Sequence, residues 1–265
     1  MMVAASGSDD PRLLRIFEAV PREAFLPPGP WSILVDRTSI LTPTADPFHL
    51  YQNILVVLDK AQGINNGEPL LHAAWIGAVA ARPGELVSQI GAGGGYYTAI
   101  LSLLVLPAGR VTAFEVHPEL ALAAQRNLAS YDNVDVIAGN AVDLPVPPSD
   151  VIYVNAGVVA PPKQWLIALR PGGRLIFPWR PTEQIALAAV VTRVESGFEF
   201  RPLMPSWFIP SVGASTARLD DVAPDQAGAW RTRSVWFKDV RAPDRSATAI
   251  YHDLWFSDQP PSRPD

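Results

Sequence analysis

Residues 86–101, LVSQIGAGGGYYTAIL, constrain this chain most: an apolar run meets four glycines within five residues and then an apolar stretch of helical length. Val87 and Ile90 suit a buried parallel strand, Gly91, Gly93, Gly94 and Gly95 a tight turn, and residues 96–106 a helix that opens at once. Glycine has no Cβ and accepts positive φ, so a ligand's sugar or backbone can come close. The start of the helix turns unpaired N–H groups toward it. A nucleotide-like guest suits such a corner; an ordinary strand-to-helix turn is the other reading of the same residues.

Spacing narrows the guest. The dinucleotide fingerprint G-x-G-x-x-G needs a small residue at position 96, where Tyr96 stands, so the pattern is G-x-G-x-G at 91, 93 and 95. No lysine follows as in a phosphate-binding loop, and nothing nearby would neutralise a triphosphate. A weakly charged ligand fits better, S-adenosyl-L-methionine rather than NAD or ATP. Residues 110–115 (RVTAFE) predict a second strand ending in an acid 24 residues after Gly91, where a carboxylate can accept both ribose hydroxyls.

With 265 residues, 48% apolar and 18% charged, the chain can bury a full core as one large domain or as a domain plus an appendage. The absence of cysteine excludes disulfides, zinc–thiolate sites and thiol nucleophiles. An acidic start and no apolar run of membrane-spanning length lead us to expect a cytoplasmic protein without a membrane partner. A net charge of −5 argues against nucleic acid as the main partner.

Taken in order, residues 12–20 carry a helical apolar stripe that Pro21 ends. Residues 28–60 are proline-rich, so irregular structure and short strands are expected there. A helix follows to residue 82, with Pro69 in its first turn and Asn66 or Gly67 as cap. Residues 118–131 predict another helix, 134–138 a third strand, 150–155 a fourth and 163–169 a short helix. Pro171, Gly172 and Gly173 form a turn into a fifth strand. Beyond 183 the pattern becomes strands at 184–194, 235–240 and 248–256, with tryptophans at 207, 230, 236 and 255 following the one at 179. The expected fold is α/β: a doubly wound, mostly parallel Rossmann-like sheet with helices on both faces and an aromatic-rich C-terminal β extension. The expected divisions are 1–60 as N-terminal helix and wrapping segment, 61–182 as ligand-binding core, and 183–265 as strands that complete or cap the sheet.

Four stretches, FEAVPREAFLPP, the loop at 63–73, IGAGGGYYTAIL and LRPGGRLIFP, resemble the protein-L-isoaspartate O-methyltransferases over roughly residues 17–213. The resemblance implies a methyltransferase fold and transfer of a methyl group from S-adenosyl-L-methionine to the carboxylate of isoaspartyl residues in a protein or peptide. It implies that 63–73 is the substrate and cofactor loop. It also marks departures: Gly67 stands where the family carries a serine, Asn53 beside Tyr51 where it carries an acid, Gln89 for an acid before the glycines, and Asn140 for an acid at the adenine corner.

Asn66, Gly67, His72 and Asn155 are the candidate catalytic residues. Gln89, Gly91, Ala92, Gly93, Gly95, Tyr96, Glu115, Val116, Asn140, Ala141 and Asn155 are the candidate cofactor contacts, and no metal is expected. Gln89 is expected to order the glycine loop through its amide, and Asn140 either to contact the adenine or to build a surface turn. Trp207 and Phe208 either wall the substrate site or belong to the packed tail. Because a carboxylate is already ionised at neutral pH, such an acceptor needs no base. Transfer to a small-molecule hydroxyl or amine would need one, for which His72 or His49 are the candidates. A protein that binds the cofactor without turnover is the reading from another class.

Overall fold

The computed structural model describes residues 2–35 and 38–262, which separate into two compact units, 1–139 and 140–265. The first unit begins with helices α1 (Met2–Ala5) and α2 (Pro11–Ala19). Asp10 caps α2, its carboxylate accepting from Arg12 N at 2.9 Å, and Pro11 fills a first-turn position where no N–H is needed. Strands β1 (Ser32–Val35), β2 (Thr38–Leu41), β3 (Leu55–Asp59) and β4 (Ile64–Asn65) form a small antiparallel sheet in the order β2-β1-β3-β4. Trp31, Leu50 and Val56 form the core beneath it, so the proline-rich stretch is short strands over an apolar patch, as expected.

The heart of this unit alternates strand and helix. Helix α3 (Pro69–Val79) precedes β5 (Leu86–Ile90), α4 (Tyr96–Leu104), β6 (Arg110–Glu115), α5 (Pro118–Asn127) and β7 (Val134–Ala138). Strands β5, β6 and β7 pair in parallel, Val87 opposite Val111 and Val111 opposite Val134. Parallel pairing requires a crossover, and helices α4 and α5 supply it. Asn66 and Gly67 do not cap α3. Asn53, from the preceding segment, accepts from Leu70 N at 2.9 Å instead, because the Asn66 oxygen is already taken by Val56 N and Arg22.

The second unit holds β8 (Ser149–Val154), α6 (Lys163–Ala168), β9 (Leu169–Trp179), β10 (Leu187–Val194), β11 (Gly197–Pro205), α7 (Gln226–Arg231), β12 (Ser234–Phe237), β13 (Ala247–Ile250) and β14 (Leu254–Ser257). Its strand order is β13-β14-β12-β11-β10-β9-β8, with β8 and β9 parallel and the rest antiparallel. Two expectations are corrected here. The Pro171–Gly173 turn lies within β9, which begins at Leu169: between the Ser149–Leu169 and Val151–Arg174 pairs the strand simply bulges. The strand expected at 248–256 is a hairpin, β13 and β14, broken at residues 251–253.

Much of the aromatic tail packs as a core. Trp179 stacks on Phe256 with ring centres 4.6 Å apart, and Phe200 meets both edge-on. Trp236 and Trp255 are buried, with the Arg241 guanidinium over both rings. No helix among the described residues is long and apolar enough to cross a membrane.

Candidate active site

The glycine corner is tied down by its neighbours. Gly91 N and Ala92 N both donate to Phe114 O, at 2.9 and 3.1 Å, so the loop leaves β5 while still bonded to β6. Gly93, at φ +56°, turns its N–H to the Glu115 carboxylate, 2.7 Å away, while the other oxygen accepts from His117 N at 3.0 Å. Glu115 is only 4% exposed. A carboxylate offers about four acceptor directions, so two remain after these bonds, which is what a ribose diol requires. Gly94 is demanded by the fold itself, since a Cβ there would lie 2.4 Å from Phe25 O. Beyond the turn, Gly95 caps α4 with backbone alone, and the N–H groups of the first helical turn face whatever occupies the corner.

Other expected contacts fall differently. The Gln89 amide does not order the loop: the side chain is fully buried in β5 and neither its oxygen nor its nitrogen has a hydrogen-bond partner. Such an orphaned amide beside the loop is costly unless a ligand or water meets it. Tyr96 is enclosed by Phe17, Phe25 and Tyr97, and burial pushes its hydroxyl up to about 12. Val116 is half-buried between Glu115 and His117.

Asn66, Gly67 and His72 do come together. Arg22 Nη2 donates to Asn66 Oδ1 at 2.8 Å and to Gly67 O at 3.1 Å, and Tyr97 Oη donates to Gly67 O at 3.2 Å. Asn65 Oδ1 accepts from Gly67 N at 3.0 Å, closing the turn. The His72 ring lies on Tyr97 with centres 3.7 Å apart and is 2% exposed. It fills the space a side chain at 67 would need: a Cβ there would sit 2.1 Å from His72 Nε2, and Gly67 has φ +71°. Burial, with Arg22 adding to it, pushes the His72 pKa down to about 3. An imidazole so low is a poor proton acceptor at neutral pH, so His72 does not suit the role of base that a hydroxyl or amine acceptor would require. His49, the other candidate, bonds Thr44 at 3.2 Å among exposed groups.

In the second unit, Asn140 builds a turn. Its Oδ1 accepts from Val142 N, and its Nδ2 donates to Asp143 and to Val212 O. Ala141 is buried, its carbonyl accepting from Gln164 and Trp165. Asn155 follows β8, just before Gly157 and Val159, which bond the 209–214 segment. Beside that segment Trp207 is exposed and Phe208 half-buried. Arg22 and Tyr97 were not singled out from the sequence, and Asn53 was noted only as the replacement of an acid, not as the acceptor from Leu70 N. Arg22 lies inside the quoted VPREAF stretch, but its bonds to backbone oxygens leave no mark in residue type.

The corner fits a nucleoside with little negative charge: backbone N–H groups, one acidic acceptor, and, among the described residues, no cation placed for phosphate. The family model described as Protein-L-isoaspartate(D-aspartate) O-methyltransferase matches residues 4–216. Protein-L-isoaspartate O-methyltransferase 2 of Rhodopseudomonas palustris (strain HaA2) is 31% identical over 208 residues, covering 78% of this chain and 87% of that one. The Methanopyrus kandleri protein-L-isoaspartate O-methyltransferase is 34% identical over 172 residues, 62% of this chain and 68% of its own. A solved protein-L-isoaspartate O-methyltransferase superposes with a TM-score of 0.69 at 20% identity, covering 96% of this chain and 84% of the other. A Plasmodium falciparum structure of that description, in complex with S-adenosyl-L-homocysteine, gives 0.62 at 18%, over 77% and 91%. The doubly wound α/β reading is thereby borne out. This chain therefore belongs to the protein-L-isoaspartate O-methyltransferase family and is an S-adenosylmethionine-dependent methyltransferase.

Proposed function

We propose that the chain esterifies a carboxylate, with an isoaspartyl residue of a protein or peptide as the acceptor that its relatives' names point to. The observation that carries this reading is the enclosure of His72. The imidazole beside the Asn66–Gly67 turn is 2% exposed and stacked on Tyr97, and burial pushes its pKa down to about 3, so it is a weak base for a hydroxyl or amine acceptor. A carboxylate needs none, being ionised well below neutral pH. Bound S-adenosylmethionine supplies an electrophilic methyl group on a sulfonium. Gly91, Ala92, Gly93 and Gly95 would cradle it, with Glu115 on the ribose and Val116 alongside, and the work left to the acceptor loop is alignment and exclusion of water.

Incubation with an isoaspartyl peptide and methyl-labelled S-adenosylmethionine tests this. The label should enter the peptide as a base-labile ester; label recovered only in a base-stable product, or none on the peptide, would overturn the reading.

A further inference from the structure

Arg22 is 1% exposed, yet every hydrogen bond it makes goes to a neutral oxygen. Nη1 donates to Leu50 O at 2.9 Å, and Nη2 to Ile54 O and Asn66 Oδ1, both at 2.8 Å, and to Gly67 O at 3.1 Å. Among the described residues no carboxylate pairs with it. Neighbouring acids are engaged elsewhere: Glu23 accepts from Tyr51 Oη at 2.7 Å, and Glu68 from Asn53 at 3.3 Å. Arg22 Nε, buried, has no partner.

A second unused donor lies one hydrogen bond away. Asn66 Oδ1 accepts from both Arg22 Nη2 and Val56 N, which fixes the orientation of the amide, and its buried Nδ2 has no partner. Two donors on the oxygen, one of them charged, polarise the amide and make its N–H a stronger donor. Asn66 as a whole is only half-buried, so this donor lies beneath the surface of the turn rather than deep in the core. A buried positive charge without a counter-ion and two buried N–H groups without acceptors are all costly in the free protein, and all are relieved by the same thing, a nearby anionic oxygen.

We propose that Arg22 and Asn66 form a charge-assisted pair that selects an anionic methyl acceptor, with Asn66 Nδ2 receiving one acceptor oxygen and Arg22 the positioning residue behind it. The proposal rests on the carboxylate reading above and adds the groups that enforce it. A neutral acceptor would leave the guanidinium uncompensated; a carboxylate balances it. The oxygen not held by Asn66 is the one left free for the methyl group.

Asn66→Asp separates this role from scaffolding. An aspartate keeps both acceptor bonds, to Val56 N and Arg22, and gives Arg22 an ion partner, while removing the donor and repelling an incoming anion. Binding is measured by calorimetry in the presence of S-adenosyl-L-homocysteine, with an isoaspartyl peptide and the same peptide bearing a carboxamide in place of the acceptor carboxylate. Wild type should prefer the carboxylate by about tenfold or more, as one charge-assisted hydrogen bond provides. Asn66→Asp should lose that preference while keeping its melting temperature and its affinity for S-adenosyl-L-homocysteine. Arg22→Lys, which keeps the charge but not the fork, should melt earlier yet retain the preference within about threefold. Undiminished preference in Asn66→Asp, failure of that variant to fold, or loss of preference in Arg22→Lys would each overturn the proposal. A wild-type protein that forms no ester on the isoaspartyl peptide would instead remove the carboxylate reading beneath it.

Discussion

At Gly67 a missing side chain and a neighbouring ring occupy one space, so the two positions are energetically coupled. Gly67→Ser would place Cβ 2.1 Å from His72 Nε2 at a φ of +71°, costing about 2–4 kcal/mol in overpacking and left-handed strain. His72→Ala in the same background should return part of that loss, a coupling of about 1–3 kcal/mol in a double-mutant cycle followed by urea denaturation. His72 also sets an acid limit. Its ring stays neutral in the folded protein down to a pKa of about 3, against 6.5 as the ordinary value, so below about pH 6.5 the unfolded chain binds a proton the folded one refuses. Stability should therefore fall as pH drops, by about 2 kcal/mol between neutrality and about pH 5 from this residue alone. Denaturation midpoints at those two pH values should show His72→Leu less acid-sensitive than wild type. Residue roles were legible unevenly. Glu115 could be placed from its distance to Gly91, because strand and helix lengths fix where an acid at the end of a strand arrives. Arg22 and Asn53 could not: one is held by backbone oxygens at 50, 54 and 67, the other caps a helix 17 residues away, and neither arrangement requires a recognisable residue pair.

Element by element, apolar runs located β5, β6, β7 and β8 to within a residue or so: β5 and β8 are buried along nearly their whole length, while β6 and the largely exposed β7 were legible from shorter apolar stretches between helices. Where the pattern misled, the cause is local. Residues 248–256 read as one strand because Tyr251 and Leu254 continue the apolar spacing across the break, and only backbone bonding, Tyr251 N to Leu254 O at 2.9 Å, reveals the hairpin. Pro-Gly-Gly marked a turn correctly in kind, but β9 accommodates it as a bulge. The hairpin has consequences for stability, since β14 delivers Phe256 onto Trp179 and Phe200 with no exposed surface. Phe256→Ala should destabilise the protein by about 3–5 kcal/mol, a cost typical of emptying a fully packed aromatic site. A loss under about 1 kcal/mol in guanidinium denaturation would mean that the aromatic cluster is not a structural core.

For the molecule as a whole, the family match ends at residue 216, while a solved relative superposes over 96% of the chain, so the C-terminal strands extend the family's sequence core without departing from a known architecture. The proposed function places the cofactor at the first unit's corner, where a ligand that binds only the folded state raises stability by about 2.7 kcal/mol at a hundredfold excess over its dissociation constant. Calorimetric titration of S-adenosyl-L-homocysteine into wild type and Glu115→Ala addresses that corner most directly. Wild type should bind one equivalent, and the variant, still folded, should bind at least about tenfold more weakly, having lost the proposed ribose acceptor and the partner of Gly93 N. No binding by wild type, or equal affinity in the two proteins, would contradict a cofactor seated on this loop.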